Sequence, residues 1–261
     1  MSLPSSSSSS AAAAPSKPSI IDLNFIDCKG SPLICVSSDE DARILWSLGW
    51  YGKGSLSRGK PMCCFRKDPP KARSEAPSAN QDSTSNTDGT QEDACGEVPP
   101  SKKVKEGELV LLTHPECFYL AFLSKHDGVS VTVGGKTRAD CWNAFCGANP
   151  RFPLLMAAYV YFRGKGWAPR TGISHGVDFL LYKPLERHTH AEYSVIVTDC
   201  KAEDFSWARL LRTSRNMVSV AKALVVCRVS SGEVSTESPD CLDGVEIQTI
   251  VFSRWDPNKS R

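Results

Sequence analysis

Long apolar runs are missing from this 261-residue chain, which excludes a helix that spans a membrane. Segments such as Ala223–Val226 fall far short of the roughly 20 consecutive apolar residues that cross a bilayer. The N-terminal region reads Ser5–Ser10 and then Ala11–Ala14, without a basic-then-apolar pattern, so no export is expected. Paired metal spacings are absent too. Cys63 with Cys64 and Cys141 with Cys146 do not form the repeated two-residue spacing of a zinc site, and the histidines add no finger pattern. No strand leads into a GxxxxGK[ST] loop, so the Gly-rich basic run WYGKGSLSRGKP is an ordinary loop or, less specifically, a phosphate cradle. Net charge is only +2, which alone neither implies nor excludes a nucleic-acid partner.

What the chain does have is enough apolar content, 41%, to build a real core. Its cysteines are odd in number, 11, and several sit in apparent core segments: Cys117, Cys141, Cys146, Cys200 and Cys227. The expectation is reduced intracellular thiols acting as small hydrophobes. Charge is unevenly placed. Arg163, Lys165, Arg170, Lys183, Arg187, Arg209, Arg212, Arg215, Lys222 and Arg228 crowd the C-terminal half, while acids gather in Glu75–Glu97 and Glu233–Glu246. A basic stripe beside acidic loops suits a phosphate-tracking face, and equally a solvated mixed surface.

Residues 1–17 are Ser/Ala/Pro-rich and are expected to be a disordered tail. An N-terminal unit over 18–66 carries strand patterns in IIDLNFID and PLICVSS and a helix pattern after Ser38 or Asp39. Residues 67–106 lose their aromatics and form a polar linker, ending in Lys102, Lys103 and Lys105. That cluster is a nuclear import signal or simply a solvated linker end. Residues 107–149 complete the N-terminal domain, with strands at ELVLLT and VSVTV and helices over 114–125 and 138–146. A second domain occupies 150–256, opening with an apolar helix over 150–163, and 257–261 is a tail. The fold class is α+β: a small N-terminal α/β unit followed by a mixed, mostly antiparallel sheet with helices on its faces.

Three side chains in this second domain stand where regular structure begins or ends. In His190-Ala-Glu-Tyr-Ser-Val-Ile-Val, period two sets Tyr193, Val195 and Val197 on one face, which points His190 away from the core. Imidazole, with an ordinary pKa of about 6.5, can protonate a leaving oxygen near neutrality; a solvated surface histidine is the plainer alternative. Tyr182 closes Asp178-Phe-Leu-Leu-Tyr eight residues earlier. A phenol, ordinarily near 10, either takes the proton of a 2′-hydroxyl or, more safely, orients that nucleophile. Lys222 opens the apolar run AKALVVC and must snorkel or meet an anion such as a scissile phosphate. A base, an acid and a fixed cation are what metal-free RNA cleavage by the neighbouring 2′-hydroxyl requires.

The runs YFRGKGWAPRTGISHGVDFLLY, HAEYSVIV, SRNMVSVAKALVVC and FSRW, with WSLGWYGKGSLSRGKP nearer the N-terminus, resemble the catalytic subunits of the tRNA-splicing endonuclease, subunit two above all. That resemblance implies a tRNA-intron-endonuclease-like catalytic domain. The family's catalytic tyrosine, histidine and lysine fall on Tyr182, His190 and Lys222. It further implies that Arg215 and Trp255 clamp a bulged intron base by stacking and cation–π attraction, although Trp255 equally suits a strand-end core anchor. One departure is KPLERHT, where relatives carry a Gly/Pro-rich turn; it brings a second histidine, His188, beside His190.

Implied in turn are cutting of precursor tRNA at the 5′ splice site, cyclic-phosphate products and no cofactor or metal, while the lysine cluster carries the expectation of nuclear localisation. The resemblance also implies a heterotetramer with a second catalytic subunit and two structural ones. Two rivals are a metal-dependent nuclease built on Asp178 and Asp199-Cys-Lys201, and a non-catalytic scaffold subunit.

Overall fold

In the run Ser19–Ile26, Ile21 and Leu23 alternate with exposed Ile20, Asp22 and Asn24, and the chain forms a half-buried strand, β1. Gly30, with φ 96°, and a bond from the Ser31 amide to the Cys28 carbonyl turn the chain back into β2 (Leu33–Val36), antiparallel to β1. The computed structural model describes residues 19–28, 30–56, 61–64, 108–184, 190–200, 206–230 and 238–253. Both expected tails, the linker with its lysine cluster, His188 and Trp255 lie outside the described residues.

Helix α1 (Asp39–Gly49) starts at Ser38, whose Oγ accepts from the Asp41 amide, and buries Ala42 and Leu45. Two short strands, β3 (Lys53–Gly54) and β4 (Val110–Leu112), extend the sheet on the β2 side. On the other side β1 pairs in parallel with β5 (Val129–Val133), giving the order β3-β4-β2-β1-β5. Between β4 and β5, α2 (His114–Phe118) opens with a capping box in which Thr113 and Glu116 satisfy each other's backbone amides. The helix expected over 114–125 forms over 114–123, in two geometries. After Phe118 the chain widens into a π-helical turn, Tyr119–Leu123, closed by the Ser124 amide on the Tyr119 carbonyl at 2.7 Å.

Helix α3 (Arg138–Ala148) precedes α4 (Phe152–Gly164), which buries Phe152, Met156, Ala157, Ala158, Tyr159 and Phe162. These aromatics are core, as their spacing predicts. A second sheet follows, in the order β10-β9-β8-β7-β6. Its strands are β6 (Ala168–Thr171), β7 (Phe179–Tyr182), β8 (Tyr193–Asp199), β9 (Ala223–Ser230) and β10 (Glu246–Phe252). Only β8 with β9 is parallel, and α5 (Trp207–Ser219) makes the crossover between them.

One face of this sheet, with Phe179, Leu181, Val195, Val197, Val225, Cys227 and Val229, joins α4 and the first sheet in one core. The opposite face is also covered: Leu180, Ile196, Leu224 and Val226 pack beneath Leu210 and Met217 of α5. The expectation that the Ser194 side of β8 faces away from the core is therefore corrected. Ser194 is fully buried, because β8 is a central strand with a helix on each side. Each Val or Leu enclosed this way contributes about 1.5–3 kcal/mol.

A polar joint ties α4 to the N-terminal sheet. Arg163 donates to the Tyr159 hydroxyl (3.0 Å) and the Gly49 carbonyl (2.7 Å) and lies 4.0 Å over the Tyr51 ring. Buried Glu116 accepts from the Gly52 amide nearby. Burial works against the guanidinium charge, but Tyr159, Tyr51 and Glu116 more than offset it, so the Arg163 pKa is raised. Burial likewise pushes the Tyr51 phenol up to about 12, with Arg163 opposing.

Candidate active site

The register of the second sheet gathers the sequence-expected triad at one end. Leu181 of β7 pairs with Tyr193 of β8, and Tyr193 pairs in parallel with Ala223 of β9. One step outward, Tyr182 and Lys222 flank the residue just before β8, Glu192. Its amide donates to the Leu181 carbonyl (3.2 Å), and its carbonyl accepts from the Ala223 amide (3.1 Å). With strands about 4.8 Å apart, the Tyr182 and Lys222 backbones stand roughly 10 Å from each other. His190 lies two residues before Glu192, on the segment leading into the same strand.

Face follows from parity. Leu180, Leu224 and Val226 belong to the side covered by α5, and Tyr182 packs against that cluster; Lys222, two residues before Leu224, shares it. Both side chains are half-buried and His190 is exposed. Among the described residues, the Lys222 ammonium makes one long contact, 3.4 Å to the Val220 carbonyl. Beside it, Lys183 and Glu192 form an ion pair at 2.8 Å. Such a grouping of phenol, imidazole and ammonium around a sheet end can orient a hydroxyl, supply a proton and hold an anion.

Backbone strain marks the same place. The non-glycine residues with positive φ among the described residues are Trp50 (61°) and Ala221 (55°). Each left-handed L-residue costs roughly 1–2 kcal/mol, and strain of this kind collects at functional sites. Ala221 ends α5 in a Schellman turn: its amide donates to Val218, and the Lys222 amide donates to Met217 at 2.9 Å. Lys222 is thus fixed by the helix end on one side and by β9 on the other.

Trp50 is the residue that sequence reasoning missed. It lies just past α1, its amide on the Trp46 carbonyl, and its ring reaches Tyr182 at 6.3 Å between centroids. The local sequence, GWYGKG, reads as a loop and gives no signal of a partner more than a hundred residues away.

Other expected residues fall elsewhere. Arg215 is exposed on α5, and its expected companion Trp255 lies outside the described residues. Asp178, proposed as half of an acidic metal pair, has another task. Its carboxylate accepts two bonds from Arg151 (3.0 and 3.2 Å) and one from the Val197 amide (2.7 Å), tying α4 to β8. The described cysteines are free thiols, and burial pushes Cys227 up to about 12 and Cys141 up to about 11, away from nucleophilic reactivity.

Comparison with known proteins adds an independent line. A family model described as tRNA intron endonuclease, catalytic C-terminal domain, matches residues 152–236, from the first turn of α4 to beyond β9. The chain is similar to tRNA-splicing endonuclease subunit Sen2 of Mus musculus, 33% identical over 165 residues, covering 59% of this chain and 36% of the relative. It is also similar to subunit Sen2-1 of Arabidopsis thaliana, 30% identical over 165 residues, covering 60% of this chain and 68% of the relative. A third relative, the probable Sen2 subunit of Schizosaccharomyces pombe, is 28% identical over 130 residues, covering 42% of this chain and 34% of that one. The chain spans only about a third of the length of the mouse relative, but two thirds of the shorter plant one. From mouse to plant these likenesses converge: the chain belongs to the tRNA-splicing endonuclease subunit Sen2 family, among the tRNA intron endonucleases.

Proposed function

We propose that this chain is a catalytic subunit of a tRNA-splicing endonuclease that cuts precursor tRNA at the 5′ splice site without a metal or cofactor. The observation that carries the reading is the convergence of Tyr182 and Lys222 on one sheet end and one face, with His190 on the segment between their strands.

In this reading the 2′-oxygen next to the scissile bond attacks phosphorus, the new 2′-O–P bond forms and the P–O5′ bond breaks. Tyr182 orients the 2′-hydroxyl, whose proton passes to solvent water or, where the side chain is tyrosinate, to its oxygen. His190 donates a proton to the departing 5′-oxygen, and Lys222 holds the charge that builds on the non-bridging oxygens. The products are a 2′,3′-cyclic phosphate and a 5′-hydroxyl. Exposure of His190 suits a group that exchanges its proton with solvent between turnovers. Exposed Arg209, Arg212 and Arg215 on α5, the helix that leads into Lys222, add positive charge for the tRNA backbone. Arg215 with Trp255 is proposed to clamp an unpaired intron base.

The working enzyme is proposed to be a nuclear heterotetramer with a second catalytic subunit and two structural subunits. β10 is an edge strand of the second sheet, a form of surface suited to pairing with a neighbour. The test is end-group analysis of precursor tRNA cut by the reconstituted enzyme in excess EDTA. Cleavage that persists and leaves cyclic phosphate is the expected result. Loss of cutting on chelation, with 5′-phosphate products when metal is restored, contradicts it and favours the metal-dependent alternative.

A further inference from the structure

We propose that Trp50 is a positioning residue for Tyr182, so that the N-terminal unit completes a site otherwise built by the second sheet. The inference rests on the catalytic reading above and extends it to a residue outside the matched family domain.

An array of stacked groups links the N-terminal unit to the second sheet. Trp50 meets the Tyr182 ring at 6.3 Å and 53°, and it also stacks on Trp46 at 5.5 Å, nearly parallel at 9°. The Arg170 guanidinium lies 5.0 Å over Trp46 and donates to the Gly52 carbonyl at 2.8 Å. Arg170 belongs to β6, the strand whose Ala168 pairs with Tyr182 itself. The array therefore leaves the second sheet at Arg170, passes through Trp46 and Trp50 of the N-terminal unit, and returns to that sheet at Tyr182.

Tyr182 needs such a support. It is the last residue of β7, and a half-buried phenol at a strand end keeps rotamer freedom that its own strand does not remove. An indole against the ring limits that freedom and shields one side from water. The backbone beneath the indole is itself pinned. Trp50 holds a left-handed conformation that glycine normally takes, with its amide on Trp46, while the Gly52 amide is bonded to buried Glu116. A tryptophan kept at a glycine-type position, in contact with the proposed nucleophile-orienting group, points to a role for the ring over a role for the turn.

The test uses the full chain in the reconstituted endonuclease, with Trp50→Gly and Trp50→Phe. Glycine suits the left-handed backbone, so the turn survives while the ring is lost; phenylalanine keeps a ring. Single-turnover cleavage is expected to fall about 10–100-fold in Trp50→Gly with precursor tRNA affinity retained, and to recover in Trp50→Phe. In parallel, 3-fluorotyrosine at position 182 reports the phenol environment by 19F NMR, independently of cutting. Its resonance is expected to move and broaden in Trp50→Gly and to stay near its original place in Trp50→Phe. A Trp50→Gly enzyme that cuts at the unsubstituted rate, or an unmoved resonance in that variant, overturns the proposal. If the unsubstituted enzyme fails to cut precursor tRNA, the catalytic reading falls, and the resonance alone then decides whether Trp50 positions Tyr182.

Discussion

The N-terminal unit and the triad end of the second sheet handle their polar side chains in opposite ways. In the N-terminal unit and at its joint with α4, polar groups bond one another. Asp22 accepts from the Thr132 hydroxyl and the Gly134 amide, Glu116 from Thr113 and Gly52, and Arg163 bonds Tyr159 and Gly49. At the far end of the second sheet, Lys222 makes one long internal contact among the described residues and His190 is exposed. Groups that bond one another hold their neighbours in place, whereas groups left underused are available to a ligand. The first region is built to hold shape and the second to present it.

Substitutions can sharpen or break this contrast. The largest stability loss is expected at the joint: Arg163→Met removes a guanidinium enclosed by Gly49, Tyr159, Tyr51 and Glu116, taking the bonds from the Gly49 carbonyl and the Tyr159 hydroxyl and the countercharge from Glu116. About 3–5 kcal/mol should disappear in urea unfolding. A loss below about 1 kcal/mol would mean that the joint is ornamental.

A smaller, pH-dependent effect is expected at His126. Burial, and then Arg163, hold its pKa below the ordinary histidine value, with Asp127 opposing, and its Nε2 is buried without a partner among the described residues. The unfolded chain therefore takes up the proton first as pH falls below about 6.5, and stability declines from there down to the lowered folded-state pKa. His126→Gln should flatten that decline in thermal melts between pH 7 and pH 5; an unchanged slope contradicts the assignment. The smallest stability effect belongs to the site: Lys222→Ala should shift unfolding by no more than about 0.5 kcal/mol.

Much of the architecture was readable from period and punctuation. VSVTV is β5 as its alternation predicts, and the apolar spacing of Phe152, Met156, Tyr159 and Phe162 marks α4. Tyr182, His190 and Lys222 could be singled out because each stands at or near a strand end and matches the catalytic residues of the family that the chain resembles. Three features were not readable, each for a tertiary reason. The covered second face of β8 depends on where α5 docks, since Ser194 looks like a solvent-facing residue until a helix lies over it. The π-helical turn after Phe118 changes the hydrogen-bond register without changing composition. Trp50 meets Tyr182 only once both sheets share a core, and nothing local encodes that contact.

The central claim is that Tyr182, His190 and Lys222 act on one phosphorus atom. Its most direct test is cleavage of precursor tRNA by the reconstituted complex carrying His190→Ala or Lys222→Ala, with each splice site scored separately. Cutting at the 5′ site should fall about 10²–10⁴-fold in either variant while the 3′ site is still cut. Undiminished 5′ cutting in both variants would contradict the site assignment.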